Sequence, residues 1–279
     1  MIELMKEIKN TIGVSIVCYK TDPQIIKNIV KLCLEEAAVG RICIVNNSSD
    51  IPIVIEDIAD SEEGRIQIIE NQNTGYVAHN IAINTLKKHK LPFHLVLNAD
   101  ISFERGTIDG LCALMIKNHK IGLVMPKVIY PDGTDQRLAK FLPNPLSLFL
   151  RLIGLSKIRF FDISKPSAAS GPVFVPYVSG CFMFTRMSVI DEVGLMDERF
   201  FMYGEDIDWS RRIASKSDTV FIPYFQVSHE YGRGSKKELR LFWIHLLNVI
   251  IYFNKWGWFL DKDRARLNAR CGEFVNLVM

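Results

Sequence analysis

Two short acidic stretches carry the chemistry that this 279-residue chain could perform. The first, Leu95–Phe103 (LVLNADISF), is an apolar run that ends in Asn98-Ala99-Asp100 and then turns apolar again. Amide and carboxylate oxygens at a strand end suit a hard cation, Mg2+ or Mn2+, that keeps some of its waters and bridges phosphates. Such a cation neutralises a leaving diphosphate. A strand-terminating turn uses the same residue types, so the tripeptide alone does not decide between the two. The second stretch, Tyr203–Arg212 (YGEDIDWSRR), puts Glu205, Asp206 and Asp208 in the first turn after Gly204, where the helix dipole favours carboxylates. Arg212 stands four residues beyond Asp208, the spacing of a same-face ion pair, and a structural role covers both. Glu205 and Asp206 are less easily explained that way. Adjacent carboxylates in apolar surroundings repel each other, which tunes one of them to accept a proton.

Two weaker signals accompany these. In Asn71–Asn80 (NQNTGYVAHN) a glycine precedes a helix amino terminus, where backbone can approach a ligand and negative charge is favoured. Asn73, Gly75 and Asn80 are therefore candidates to face a nucleotide, although an Asn-capped helix needs no ligand. His229, in QVSHE after an apolar run, is a candidate third metal ligand, ranked below the carboxylates because a lone histidine is more often structural.

The elements that must position these residues alternate. Ile12–Tyr19, Arg41–Val45, Gly64–Ile69, Phe93–Asn98 and Gly122–Met125 have the length and β-branched content of strands. Between them, Asp22–Ala38, Thr74–Lys88 and Thr107–Asn118 space their apolar residues as helices do. Alternating strands and helices imply crossovers, hence an α/β fold with a mainly parallel sheet covered on both faces. Ligands bind such sheets beyond the carboxyl ends of the strands, and the loops there read YKTD, NNSSD, NQNTG and NADIS. Phe141–Val178 differs: it holds five prolines and the apolar PLSLFLRLIGL, and reads as an inserted acceptor loop or short helix.

Composition sets the outer limits. With 48% hydrophobic and 23% charged residues the chain can bury a full core. Six cysteines without a C-x-x-C pair read as reduced core residues of a cytoplasmic protein, and MIELMKEIKN lacks the apolar run of a signal peptide. Charge is uneven: from Tyr231 onward nine Lys and Arg face four Asp and Glu, whereas the first 230 residues are slightly acidic. Within the apolar segment Leu239–Leu260 the longest stretch free of Lys, Arg, Asp and Glu, Leu241–Asn254, has 14 residues, too few to span a bilayer. Trp243, Trp256 and Trp258, with Arg233, Lys236, Lys237, Arg240, Lys262, Arg264, Arg266 and Arg270, fit contact with an anionic membrane surface through residues 233–270. Packing of the same helix on the catalytic domain, or across a homodimer, fits equally. Basic residues beside a greasy helix, not on a patterned face, argue against nucleic-acid binding.

In this order, VSIVCYK (Val14–Lys20), IVNNSSD (Ile44–Asp50), NTGYVAHN (Asn73–Asn80), LNADISF (Leu97–Phe103), SGCFMFTR (Ser179–Arg186), VGLMDERFFMYGEDIDW (Val193–Trp209) and His229 resemble family 2 glycosyltransferases of the GT-A fold, most closely the rhamnosyltransferase-like branch of bacterial surface polysaccharide assembly. The resemblance spans roughly residues 11–230 and lies in the ordering of the motifs. It implies a GT-A catalytic domain over residues 1–230, with a donor half of about 11–130 and an acceptor half of about 131–230, followed by a basic, apolar helical extension over 231–279. It implies that Tyr19 and Asn46 line the base pocket, that Asn47 binds the donor, that Asn73, Gly75 and Asn80 sit near the nucleotide, and that Asn98 and Asp100 stand at the D-x-D metal motif with His229 as a metal-associated histidine. Asp206, beside Glu205, matches the general base that deprotonates the acceptor hydroxyl. The implied reaction is inverting transfer of a sugar, favoured as rhamnose from dTDP-rhamnose, to a glycan or polyprenol-diphosphate-linked acceptor. UDP-galactofuranose and a UDP-N-acetylhexosamine are the alternative donors. Asn98 departs from the first aspartate of D-x-D, and His79 fills a usually small position where it would only narrow helix packing. A non-catalytic sugar-nucleotide or glycan-binding protein is the rival reading from another class. A nucleotidylyltransferase would need a glycine-rich basic loop near the first strand, and YKTDP is not one.

Overall fold

The computed structural model describes residues 2–48, 50–53, 64–152, 170–230 and 239–278. In chain order the first half runs α1 (Ile2–Ile8), β1 (Ile12–Cys18), α2 (Pro23–Leu34), β2 (Val39–Asn46), β3 (Ile66–Glu70), α3 (His79–Lys87), β4 (Phe93–Leu97), β5 (Ile101–Phe103), α4 (Thr107–Lys117) and β6 (Ile121–Ile129). There follow β7 (Ala139–Lys140), α5 (Pro145–Leu152), β8 (Val173–Phe174), β9 (Tyr177–Val178), β10 (Phe182–Arg186), α6 (Met187–Val193), α7 (Glu205–Ala214), β11 (Asp218–His229), α8 (Leu239–Trp256) and α9 (Lys262–Arg270).

One mixed sheet has the order β3-β2-β1-β4-β10-β6-β11-β5, with β8 alongside β11. Strands β1 to β4 run parallel, β10 is antiparallel to both β4 and β6, and β11 returns parallel to β6. Strands β1, β2 and β4 are buried along nearly their whole length, which is why they read as continuous apolar runs and not as an alternating pattern. Helix α2 starts where expected: the Asp22 carboxylate accepts from the Gln24 N–H, Pro23 fills the first turn, and Ile26, Ile29, Val30 and Cys33 form the buried stripe. The expected Thr74–Lys88 helix divides into a 3-10 turn at Gly75–Ala78 and α3. All six cysteines are unpaired, five of them buried.

The Phe141–Val178 segment contains α5, β8 and β9, with β9 pairing β7 in a two-stranded antiparallel ribbon; its residues 153–169 lie outside those described. Helices α8 and α9 close the molecule against α7: Phe174, Phe200, Ile207, Tyr252, Phe253 and Leu267 share one apolar cluster. The packing alternative for the apolar tail therefore describes one face of α8. The membrane alternative concerns the other, because Trp243, Leu247 and Ile250 recur at helical spacing there and are exposed.

Candidate active site

Each candidate residue sits at the carboxyl edge of the parallel strands or on a segment that the antiparallel strands deliver to it. Asp100 and His229 are far apart in sequence, and the antiparallel pairing of β5 with β11 brings them together: Ile101 stands opposite His229, and the Glu230 N–H donates to the Asp100 carbonyl at 3.1 Å. His229 Nε2 lies 3.3 Å from Asp100 Oδ1 and 3.4 Å from Asn98 Nδ2. On the far side of the ring, His229 Nδ1 is 3.0 Å from Gln136 Oε1. No group of three His, Cys, Asp or Glu gathers among the described residues, because Asn98 replaces one carboxylate. The set that remains, one carboxylate, one imidazole and one carboxamide converging within 3.4 Å, fits a divalent cation that completes its shell with water and phosphate oxygens.

The second half of the site grows from α7. Gly204 (φ +133°) follows Tyr203 (φ +70°), both in the left-handed half of backbone space, and this tight turn aims the first helical turn inward. The two adjacent carboxylates part company there. Glu205 is buried, its Oε2 has no hydrogen-bond partner among the described residues, and burial, followed by the charge of Asp206, holds its carboxyl well above the usual range. Asp206 is half-buried and lines a cavity of about 250 Å3 together with Tyr130, Gln136, Lys140, Tyr177, Tyr203 and His229. Its Oδ2 accepts from the Tyr177 hydroxyl at 3.2 Å and from the Gly180 N–H at 3.3 Å, and its Oδ1 from the Ile207 N–H at 2.8 Å. Gly180 links the two halves: the next residue, Cys181, accepts at its carbonyl from the Asn98 N–H at 3.0 Å, and the Tyr76 hydroxyl donates to the Gly180 carbonyl.

Asp208 is the structural carboxylate that its spacing predicts. It is fully buried, paired with Arg212 at 2.9 Å, and also accepts from Lys255 and Trp256 of α8, each at 2.8 Å. Arg211 reaches the C-terminal region as well, through a bidentate pair with Asp261 at 2.5 and 2.7 Å and a guanidinium stacked 4.0 Å over Trp256. Trp256 thus faces the domain and not a lipid surface. Arg264 is buried beside Asp261, and Arg270 is paired with Asp218 and Glu273. Arg233, Lys236 and Lys237 lie outside the described residues.

Several residues expected near the nucleotide make hydrogen bonds within the chain. The Asn80 amide is buried and spent on both backbone groups of Met196, at 2.9 and 3.0 Å, tying α3 to the loop before α7. Asn46 is 2% exposed, donates to the Ile51 carbonyl and Glu70 Oε2, and accepts from the Ser48 N–H. It organises the cleft at Cys18, Lys20, Thr21 and Ser48 without presenting spare atoms to it. Asn47 holds the Gly75 carbonyl and accepts from Asn71. Gly75 is needed for a close approach: a Cβ there would meet the Phe201 carbonyl, which accepts from the Tyr76 N–H at 2.8 Å. Tyr19 and Asn73 are exposed, with Asn73 Oδ1 capping the Gly75 N–H. His79 does more than narrow the packing, since His79 and His94 both hydrogen-bond the Ser15 hydroxyl inside the core, at 2.8 and 2.9 Å. Tyr177, Lys140, Gln136 and His245 line the cavity without any periodicity or motif that marks them in the sequence.

This sheet order and this site placement define a GT-A fold. Likeness to solved structures bears that out: a structure of GalNAc-T7 with UDP, GalNAc and Mn2+ superposes with a TM-score of 0.58 at 17% identity, covering 78% of this chain and 43% of that one. The mannosyltransferase PcManGT from Pyrobaculum calidifontis in complex with GDP-Man and Mn2+ gives 0.52 at 14%, covering 94% and 74%. No family model matches the chain. Among curated proteins, the N-acetylglucosaminyl-diphospho-decaprenol L-rhamnosyltransferase of two Mycobacterium tuberculosis strains is 24% identical over 157 residues. The match takes in 52% of this chain, which spans about half, 48%, of those relatives' length. The resemblance to rhamnosyltransferase-like GT-A enzymes is thereby borne out, and what the chain transfers is a separate question.

Proposed function

We propose that the chain is an inverting glycosyltransferase that moves a sugar from a nucleoside diphosphate to a hydroxyl of a lipid-linked glycan, with rhamnose from dTDP-rhamnose as the favoured donor. The observation that carries this reading is the shared cavity of Asp206 and His229, with Asp100 and Asn98 at the imidazole's Nε2. In a single displacement, the acceptor oxygen forms its bond to the anomeric carbon as the bond to the diphosphate breaks, the bonding pair leaving with the diphosphate. The acceptor proton passes to the Asp206 carboxylate, which Tyr177, Gly180 and Ile207 hold in orientation. A divalent cation held by Asp100, His229 and Asn98 would supply charge neutralisation at the departing diphosphate. Both structural relatives were solved with Mn2+, and the curated relatives are named for a decaprenol-diphosphate acceptor and rhamnose, which supports the metal, the donor and the acceptor class.

A lipid-linked acceptor accords with the exposed ridge of α8. Trp243 is 59% exposed and Leu247 57%, and beyond the helix end Phe259 and Leu260 are 83% and 96% exposed. The opposite face of the same helix carries His245 into the cavity of Asp206. We read the ridge as a peripheral membrane contact. No helix among the described residues is long and apolar enough to cross a membrane.

The test is turnover with dTDP-rhamnose, UDP-galactofuranose and UDP-N-acetylglucosamine on a polyprenyl-diphosphate-linked sugar, with and without Mn2+. Metal-dependent transfer, reduced by about two to four orders of magnitude in Asp206→Asn, is expected. Nucleotide binding without transfer from any donor would instead favour the non-catalytic reading, whose motivating feature is Asn98.

A further inference from the structure

The environment of His229 holds a detail that the motif does not contain. Gln136 directly follows the turn Tyr130–Asp135 after β6, and its backbone N–H donates to the Val128 carbonyl at 3.0 Å, so the residue is held from its main chain. Its side-chain amide touches three groups. Nε2 lies 2.7 Å from the His229 carbonyl and 3.2 Å from the Ile129 carbonyl, and Oε1 lies 3.0 Å from His229 Nδ1. Two carbonyl oxygens only accept, so the amide NH2 must face them and Oε1 must face the ring. An amide oxygen in turn only accepts, so His229 Nδ1 carries a proton. That holds for the neutral and for the charged imidazole alike, which leaves Nε2 as the nitrogen that can offer a lone pair. Nε2 is the atom at 3.3 Å from Asp100 Oδ1 and 3.4 Å from the Asn98 amide.

We propose that Gln136 is a positioning residue that fixes the His229 tautomer, with the proton on Nδ1, so that Nε2 joins Asp100 and Asn98 in presenting a divalent-cation site. The tautomer is a property of the metal-free chain; its use rests on the metal reading given above. Metal-bound histidines are oriented in this way by an acceptor on their other nitrogen, and loss of such an acceptor commonly weakens binding tenfold to a hundredfold. The arrangement matters more here because Asn98 stands in for a charged ligand, leaving a single carboxylate and making the imidazole a larger share of the donor set. Placement of Gln136 depends on the Pro131-Asp132-Gly133-Thr134 turn, in which Asp132 Oδ1 accepts from the Thr134 N–H and hydroxyl at 2.8 and 2.6 Å.

Two variants separate the acceptor role from simple anchoring of the turn. Gln136→Met keeps the length and removes both functions, whereas Gln136→Glu keeps an acceptor at Nδ1 and loses the donor to the two carbonyls. The readouts are the 15N shifts of the His229 ring in the metal-free protein and the Mn2+ affinity by calorimetry. The wild type is expected to show Nδ1 protonated, Gln136→Met to lose about tenfold to a hundredfold in Mn2+ affinity, and Gln136→Glu to stay within a few-fold. Equal loss in both variants would reduce Gln136 to a turn anchor and overturn the proposal. A wild type that binds Mn2+ with Nδ1 bare and Nε2 protonated overturns it and leaves the transferase reading standing. A wild type with Nδ1 protonated that binds no Mn2+ overturns the metal part of both.

Discussion

At the scale of single residues, the chain buries polar groups that report on pH. His79 and His94 share the Ser15 hydroxyl in the core, and burial pushes both imidazoles down to about 3 from 6.5. Their folded pKa lies below the unfolded one, so between pH 6.5 and about 3 the unfolded chain binds protons that the folded chain refuses. The stability they leave intact above pH 6.5 is therefore lost progressively as pH falls. Thermal melts from pH 7 to pH 4 should show a steep loss, flattened in His79→Phe; identical slopes would show that the pair does not set acid lability. Glu205 has the opposite sign. Its folded carboxyl is raised, so the protonated form stabilises the fold at low pH and that contribution disappears as pH rises. Glu205→Gln, which keeps a neutral side chain, is expected to melt higher than the wild type above pH 7 and to retain the fold. At the metal end, Asn98→Asp restores a second carboxylate and should tighten Mn2+ binding by about tenfold, since affinity follows ligand charge. Unchanged calorimetry would place Asn98 outside the cation's reach.

At the scale of elements, α7 is the piece on which catalysis would turn, and its orientation is set from the C-terminal side. Asp208 and Arg211 are buried on its inner face, Asp208 paired with Lys255 and Trp256 and Arg211 with Asp261. Removing one partner of a buried pair leaves an uncompensated charge, at about 3–5 kcal/mol. Asp261→Ala should therefore lower stability by that order in denaturant titrations, while Lys262→Ala, at the exposed next residue, should do almost nothing. Helix α8 is two-faced: Asn248, Tyr252 and Phe253 are buried, and Trp243, Leu247 and Ile250 are exposed. If the exposed ridge contacts lipid, Trp243→Ala combined with Leu247→Ser should abolish co-sedimentation with vesicles and leave turnover on a water-soluble acceptor unchanged. Persistent co-sedimentation would remove the ridge from the membrane reading.

At the scale of the molecule, the sheet and the C-terminal helices form one packed structure, so residues 239–279 are expected to be indispensable. A chain ending at residue 238 would uncover Phe200, Ile207 and Phe174, take Lys255 and Trp256 from Asp208, and take Asp261 from Arg211. It should be insoluble, or lose its cooperative melt. The α/β class, the parallel strands and the start of α2 were legible in the sequence because local periodicity, β-branched runs and an Asp-Pro cap determine them without reference to distant residues. Asn98, Asp100, Glu205, Asp206 and His229 were legible as well, since their residue types are unusual beside apolar runs. Which of the adjacent carboxylates faces the cavity was not, because burial is a property of the neighbours that α7 meets. Nor was the employment of Asn46 and Asn80, whose amides are spent on partners 24 and 116 residues away. Gln136 had no signal whatever: a lone glutamine just past a turn acquires meaning only when β6 and β11 pair and bring His229 to it. The sequence by itself determined which chemical groups are available and which strands end in them; tertiary structure alone decided which of those groups meet, because hydrogen bonds and desolvation act over a few ångströms whatever the distance along the chain.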